Sequence, residues 1–547
     1  MPSASIAEWL FGPGPAEPGA LWPRWLWLRA LGLIFFSAFY SLAFQVRGLI
    51  GPAGILPARD FLDIVRQQFG VWRFWYAPSL LWFNSGRGAL QALCIAGLLG
   101  SVLLVLNLWP RAAIAICFVS YLSLISTAQD FASYQSDGML LAAGFLSLFL
   151  APPGLRPGLA RDRPPSRASL FMLRWLWFQI YFESGVVKLA SHDPEWRHLT
   201  ALDQYYQNGP LPNWIGWYAQ QLPHAFQAGV ALFTLTTELG LVWLMFLPRR
   251  FRVVCFCIVT PFQLGIIFTA NLAFLNHLVL SLGVLLLDDR FLLGIAGWVR
   301  ARLRPSRTGE IAADCTPFET SAFTRVTDAP APASPAASGS ARRVAVRHGI
   351  SIVVPAVLLT WIFYATMVEM LTMLTGPLPL PTQPIAALEP FRIADRYGLF
   401  AVMTPARYEI EFQGSADGNK WTPYPFRYKP QRVDQAPRIY APYQPRFDWN
   451  LWFASLGTWR EYPWVVRTEV LLLRGDKDVL SLFAGNPFAK PPPKEVRAVV
   501  WEYWFTDLRT KRATGAWWRR EFKGLYGPAV ELGPDGKAVA LQWPGQP

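Results

Sequence analysis

Lys188 is the only lysine before Lys420; every other side-chain amine or guanidinium cation in that stretch is an arginine. A lysine ammonium is a compact charge that can give up its proton when desolvated, whereas arginine keeps its own. It lies in YFESGVVKLASHDPEWRHLTALDQYYQNGPLPNWIGWYAQQLP (181–223), where an apolar run passes into a polar, Trp-rich segment. Glu183 is five positions earlier, about 140° around a helix, so the two cannot share a face. Lys188 must find its partner elsewhere: Asp137, His277 or Asn276, with Glu238 as a deeper candidate. A desolvated amine in an apolar pocket becomes a base; one facing a carboxylate serves structure. A lysine at a helix end can also simply snorkel to the interface.

The elements that must position these groups are membrane helices. Of the 547 residues, 53% are hydrophobic and only 16% charged, against about 25% charge in soluble proteins; mean hydropathy is +0.24. Apolar runs fall near 25–47, 89–109, 112–128, 138–151, 169–190, 225–247, 251–269, 272–287 and 350–374. A helical span takes about 20 apolar residues, so 138–151 and 272–287 are short, and the expectation is about nine spans. The first run is too long for a signal-peptide core and lacks a cleavage pattern. Arginines crowd the 152–168 loop, the 248–252 turn and the 288–349 segment. Assigning these to the cytosol places the N-terminus inside and everything beyond about 375 outside. Asp130, Asp137, Asn271, Asn276 and His277 then lie near the outer face, with Glu238 and Glu369 deeper. Ionisable groups within spans usually face a partner or a cavity. An outward-opening polar pocket of Asp137, Glu183, Lys188, Glu238, Asn276 and His277 follows, unless each group serves a separate contact between helices.

The formal charge of +14 sits in short loops, which excludes a nucleic-acid footprint. Five scattered Cys and five His, none beyond residue 348, give no disulfide framework and no metal site, and no cofactor motif is present. The chain divides into a multi-span region, 1–375, with a Pro/Ala/Ser-rich disordered cytosolic linker at about 305–345, and a β-rich outer region, 390–547. RYEIEFQG and VRAVVWEYWF read as strands, GSADGNKW as a tight turn between strands, and WVVRTEVLLLRG as a short helix. PRFDWNLWF (445–453) and GAWWRREFKGLY (515–526) are aromatic-basic clusters. Arg446, Asp448, Trp449, Trp517, Trp518 and Arg519 can bind a protein client or simply pack. The two clusters are expected to meet, Arg446 or Arg519 pairing Asp448, with Trp517 following a Gly that ends a strand.

Residues 181–223 resemble the signature of the lipase maturation factor family, membrane proteins of the endoplasmic reticulum with bacterial relatives. SLAFQVRGLIGPAGILPA (41–58), YLSLISTAQDFASYQSDGMLLAAGFL (121–146) and TANLAFLNHLVLSLGVLLLDD (269–289) resemble its membrane-half motifs. RYGLFAVMTPARYEIEFQGSADGNKW, PYQPRFDWNLWFASL, NPFAKPPPKEVRAVVWEYWFTD and TGAWWRREFKGLY resemble its outer-domain motifs, in order. The chain departs at 135–142, where the family has Trp before the Asp and Glu near the end. Ser136 and Ala142 stand there instead, so no role for that Glu carries over. SGVVKL also resembles a short stretch of the vitamin K-dependent carboxylase and related membrane proteins, in which the lysine acts as a base; that match maps onto Lys188 alone.

The family resemblance implies a membrane-anchored folding or assembly factor for exported proteins, lipases among them, with the C-terminal domain facing the periplasm or lumen. Its partners would be the bilayer and a secreted or periplasmic client. The membrane would be a bacterial inner membrane, or the endoplasmic reticulum in a eukaryote. The competing reading is an integral-membrane enzyme acting on a lipid-soluble or peptide substrate with Lys188 as base. A transporter is a weaker third, since nothing resembles inverted repeats.

Overall fold

A computed structural model describes residues 6–12, 19–132, 134–303, 338–488 and 491–545. Most of the linker expected at 305–345 lies outside the described residues. Each of the nine apolar runs is helical: α1 (Leu21–Ile50), α2 (Arg87–Val105), α3 (Pro110–Ile125), α4 (Gln135–Leu150), α5 (Arg167–Ala190), α6 (His224–Leu239), α7 (Arg249–Thr269), α8 (Leu275–Gly283) and α9 (Ser338–Thr375). Local chemistry sets several ends. Pro110 opens α3, where a missing N–H costs nothing. The Ser166 hydroxyl caps α5 by accepting the Ser169 amide at 3.2 Å, and α1 stops at Gly51 before Pro52.

Five helical segments among the described residues are long and apolar enough to cross a membrane: Leu21–Ile50, Arg87–Val105, His224–Phe246, Arg249–Thr269 and Ile352–Thr375. Pro110–Ile125, Gln135–Leu150 and Leu275–Leu286 are apolar but shorter. The helix α5 has 24 residues and carries Arg167, Arg174, Glu183 and Lys188.

The C-terminal region forms a six-stranded sheet: β1 (Arg407–Ser415), β2 (Trp421–Pro423), β3 (Glu495–Phe505), β4 (Trp518–Leu525), β5 (Ala529–Leu532) and β6 (Ala538–Gln542). The order is β2-β1-β3-β5-β6, with β4 also on β3, and every pairing is antiparallel. Two of these strands, and the β1–β2 turn, were legible in the sequence. In that turn Asp417 Oδ1 accepts the Asn419 and Lys420 amides at 2.9 and 2.8 Å, and Gly418 takes φ +77°.

Strand alternation sorts β1 cleanly. Ile410 and Phe412 face a buried core with Phe447, Trp464, Val496 and Ala498. That core lies under two helices, α10 (Arg446–Ser455) on β1 and α11 (Trp464–Leu473) on β3 and β5. The opposite register positions, Arg407, Glu409, Glu411 and Gln413, are polar and also buried. Burying charge is costly unless it is paired, and here the pairs are internal: Glu409 bonds Arg407 and lies 2.7 Å from Lys429 Nζ.

One local expectation is corrected. Gly515 ends a helix, Leu508–Thr514, not a strand. Asp507 caps that helix by accepting the Thr510 amide at 2.6 Å, and the strand begins only at Trp518.

Candidate functional site

Of the polar residues singled out in the sequence, Lys188, Glu238 and Asn276 line one cavity, while Asp137 and Glu183 are engaged separately where the helical region meets the C-terminal domain. Lys188 lies two residues from the end of α5, and its ammonium is fully engaged. Nζ donates to Glu238 Oε1 at 3.0 Å, to the Leu399 carbonyl at 2.9 Å and to the Ser184 carbonyl at 3.3 Å. Glu238 Oε2 is also 2.8 Å away, and the Trp196 ring covers the amine at 5.2 Å.

The partner is therefore Glu238, not Asp137, His277 or Asn276. Glu238 is also level with Lys188 rather than deeper, and Gly185 is the reason. A Cβ there would lie 2.9 Å from Glu238 Cβ and from Leu239 Cγ, so the bare glycine lets α6 press against α5 one turn before Lys188. The first half of α6 then runs on past the end of α5. As the helical angle requires, Glu183 takes other partners: it accepts Gln179 Nε2 at 3.0 Å and the Tyr397 amide at 2.7 Å. With all three N–H donors of Lys188 spent, this arrangement does not favour proton transfer.

Asp137 serves a second crossing. Arg446 of α10 forms a two-pronged pair with it, Nη2 to Oδ1 at 2.7 Å and Nη1 to Oδ2 at 2.8 Å. Tyr121 donates its hydroxyl to Oδ1 at 2.6 Å, and Arg446 also donates to the Phe131 carbonyl at 2.7 Å. Arg446 thus does not pair Asp448. That carboxylate accepts the Tyr428 and Lys429 amides, both at 3.2 Å, and burial pushes its pKa up to about 6 against the pull of the Lys429 amide.

The 181–223 signature is the socket for the C-terminal domain. Ser191 donates to the Ala401 carbonyl at 2.7 Å, Asp193 accepts the Met403 amide at 2.5 Å, and Asn208 donates to the Thr404 carbonyl at 2.7 Å. Gln207 accepts the Phe505 amide at 2.6 Å, and Trp452 donates to the Asn208 carbonyl at 2.9 Å. Arg407 closes the socket through the carbonyls of Gln207 (3.0 Å) and Pro210 (3.3 Å). Asn271 holds Arg438 and Tyr440 from the far side, at 2.7 Å each. Gln207, Asn208, Asp193 and Arg407 were missed as site residues. The signal was present in the density of amides and prolines in DQYYQNGPLPNW, which cannot be membrane-buried without partners.

The two aromatic-basic clusters flank this socket and touch at their ends, where the Tyr526 hydroxyl donates to the Ala454 carbonyl at 2.7 Å. Arg446, Asp448 and Trp449 are buried, Arg446 on Asp137 of α4 and Trp449 on Tyr134, while Trp518 is buried against Phe505 and Tyr503. Trp517 is half-buried and edges onto Trp217 at 5.1 Å. Arg519 is exposed, its guanidinium over the Trp504 ring at 4.6 Å. Of the six, only Arg519 and part of Trp517 are open to a client. His277 is half-buried, and Asn276 lines a cavity described below. No group of three or more His, Cys, Asp or Glu among the described residues could hold a metal ion.

A family model described as the lipase maturation factor transmembrane domain matches residues 22–294, and one described as the lipase maturation factor C-terminal domain matches residues 393–528. The chain is 32% identical to lipase maturation factor 2 of Gallus gallus, over 93% of this chain and 82% of that protein. It is 30% identical to lipase maturation factor 1 of Bos taurus, over 97% and 93%, and 32% identical to lipase maturation factor 2 of Homo sapiens, over 94% and 83%. No solved structure matches the chain.

Proposed function

The chain belongs to the lipase maturation factor family, and from that premise we propose that it is a membrane-held maturation factor for exported proteins, lipases foremost. The observation that carries this reading is the similarity along nearly the whole chain, at 30% identity over 97% of it, to a protein named for lipase maturation. The seam adds a physical reason. An outer domain clamped to a helical base by a buried ion pair and a run of hydrogen bonds is a fixed platform, suited to holding a client near the membrane.

On this reading all nine apolar runs cross the bilayer, the short ones at 138–151 and 272–287 included, with α5 admitted despite its charges because Glu183 and Lys188 are paired inside the protein. The three arginine-rich connections lie in the cytosol together with the N-terminus. The domain beyond about 390 faces the periplasm of a bacterial inner membrane, or the lumen in a eukaryotic cell. Client contact falls to Arg519 and Trp517 and to the edge of β4 from Arg520 to Phe522. The test is co-expression with a secreted lipase. Exported lipase activity per mass of lipase should rise several-fold with the intact chain, and equal specific activity without it would reject the function.

A further inference from the structure

A cavity of about 570 Å³ opens between α5, α6, α7 and α8, within the size range of small-molecule sites. Its walls are mainly apolar, among them Tyr206, Phe226, Phe233, Phe262, Leu275 and Val279, and Leu399 and Phe400 of the connector to the outer domain close one side. Its few polar groups include Lys188, Glu238 and Asn276. Asn276 is 5% exposed, and its Nδ2 has no hydrogen-bond partner. A buried donor left unmade costs about 1–3 kcal/mol, so a bound acceptor would repay it.

We propose that this cavity is a lipid site, taking one acyl chain with an uncharged, hydrogen-bonding head of the monoacylglycerol kind whose ester carbonyl accepts from Asn276. Three observations set that class. The walls include residues of His224–Phe246 and of α7, both segments long and apolar enough to span, so the neighbouring solvent is hydrocarbon and the apolar lining selects an acyl chain. The Lys188 ammonium is already balanced by Glu238 at 2.8 Å, so the site offers no net charge to an anionic head. The orphaned amide sits among these groups and supplies a specific polar anchor. The inference rests on the membrane reading of these helices and not on the identity of any client.

The test uses the full chain in lipid nanodiscs with two probes, a monoacylglycerol carrying a diazirine on its acyl chain and the free fatty acid of the same chain. Adducts are mapped by mass spectrometry. The monoacylglycerol should label 226–234 and 262–279, and Asn276→Leu should lower that yield at least fivefold. Val230→Trp, which fills the cavity and leaves every polar partner in place, should abolish the labelling and serves alone if Asn276→Leu does not fold. Equal yields in the wild type and Val230→Trp, or adducts confined to outward positions such as Val254 and Phe268, would mean bulk lipid only and overturn the site. Stronger labelling by the fatty acid would overturn the uncharged head. Neither result would bear on lipase maturation, which is read from exported activity.

Discussion

Arg446 and Asp137 meet in a two-pronged ion pair, at 2.7 and 2.8 Å, with neither side chain exposed to solvent. One belongs to the C-terminal domain and the other to the apolar helix α4, so the pair sets the docking of the two halves. Removing one partner of a buried pair strands the other charge, at about 3–5 kcal/mol. Arg446→Met should therefore lower thermal stability sharply and expose the outer domain to protease. Asp137→Leu combined with Arg446→Met should recover most of the loss, because no unpaired charge remains. A double variant as weak as the sum of the two singles would show that the pair is not coupled.

The same logic applies to Lys188 and separates structure from chemistry. Lys188→Arg keeps a cation opposite Glu238 and should retain most folding and client yield. Lys188→Met should cost about 3–5 kcal/mol, and Lys188→Met with Glu238→Leu should restore it. Gly185→Val should mimic Lys188→Met without touching either charge, since its side chain would push α6 away. Normal folding of both Lys188 variants with loss of activity in both would instead point to proton transfer.

How much of this was legible differs by the range of the interaction. The helices and the strands around Ile410 and Val500 follow from patterns a few residues long, and so does the turn at Asp417. Even the misread Gly515 was decidable locally, because Asp507 followed by LRTKRAT is a capped helix. Ion-pair partners were not legible. Asp137 and Arg446 are 309 positions apart, and Lys188 meets Glu238 only because Gly185 lets two helices touch. Counting depth from the start of an apolar run misplaced Glu238, since the α6 helix begins beyond the end of α5.

Asp448 makes stability depend on pH. Burial holds its folded pKa at about 6, above the ordinary value of 3.8. The folded state therefore binds its proton more tightly than the unfolded chain. Its contribution is fully present below pH 3.8 and is lost as pH rises through 6, amounting to roughly 3 kcal/mol. Burial pushes Glu469 upward in the same sense, so the difference between wild type and Asp448→Asn is the informative quantity. Asparagine keeps an oxygen for the Tyr428 and Lys429 amides. Asp448→Asn should gain stability relative to wild type between pH 4 and 6 and hold that gain above it, read from denaturant midpoints across pH. A difference that stays flat with pH would refute the assignment.

Orientation can be read from single cysteines. Lys420 and Arg250 are both exposed and fall on opposite sides of the proposed bilayer. In a background with Cys257→Ser and Cys315→Ser, Lys420→Cys should react with a membrane-impermeant maleimide added to intact spheroplasts. Arg250→Cys should react only after permeabilisation. The reverse pattern would invert the topology and place the outer domain in the cytosol.

The last prediction concerns where a client is held. Among the described strands β4 pairs with β3, and the amide of its first residue, Trp518, goes to the Val433 carbonyl at 3.1 Å; the edge beyond it, from Arg520 to Phe522, is left for an extended segment. Arg519 and Arg520 lie over Trp504 and Trp501 at 4.6 and 4.1 Å, and Phe522 is 49% exposed. This is a rigid aromatic surface under a positive field, fitted to a partly folded chain with apolar and acidic side chains. A photo-crosslinking amino acid at Phe522 should capture a co-expressed secreted lipase during export, while one at Asp535, exposed in the turn between β5 and β6, should capture little. Arg519→Glu should reduce capture several-fold and lower exported lipase activity in proportion, with no change in the melting of the factor itself. Equal capture from Phe522 and Asp535 would remove β4 as the platform while leaving the maturation function intact.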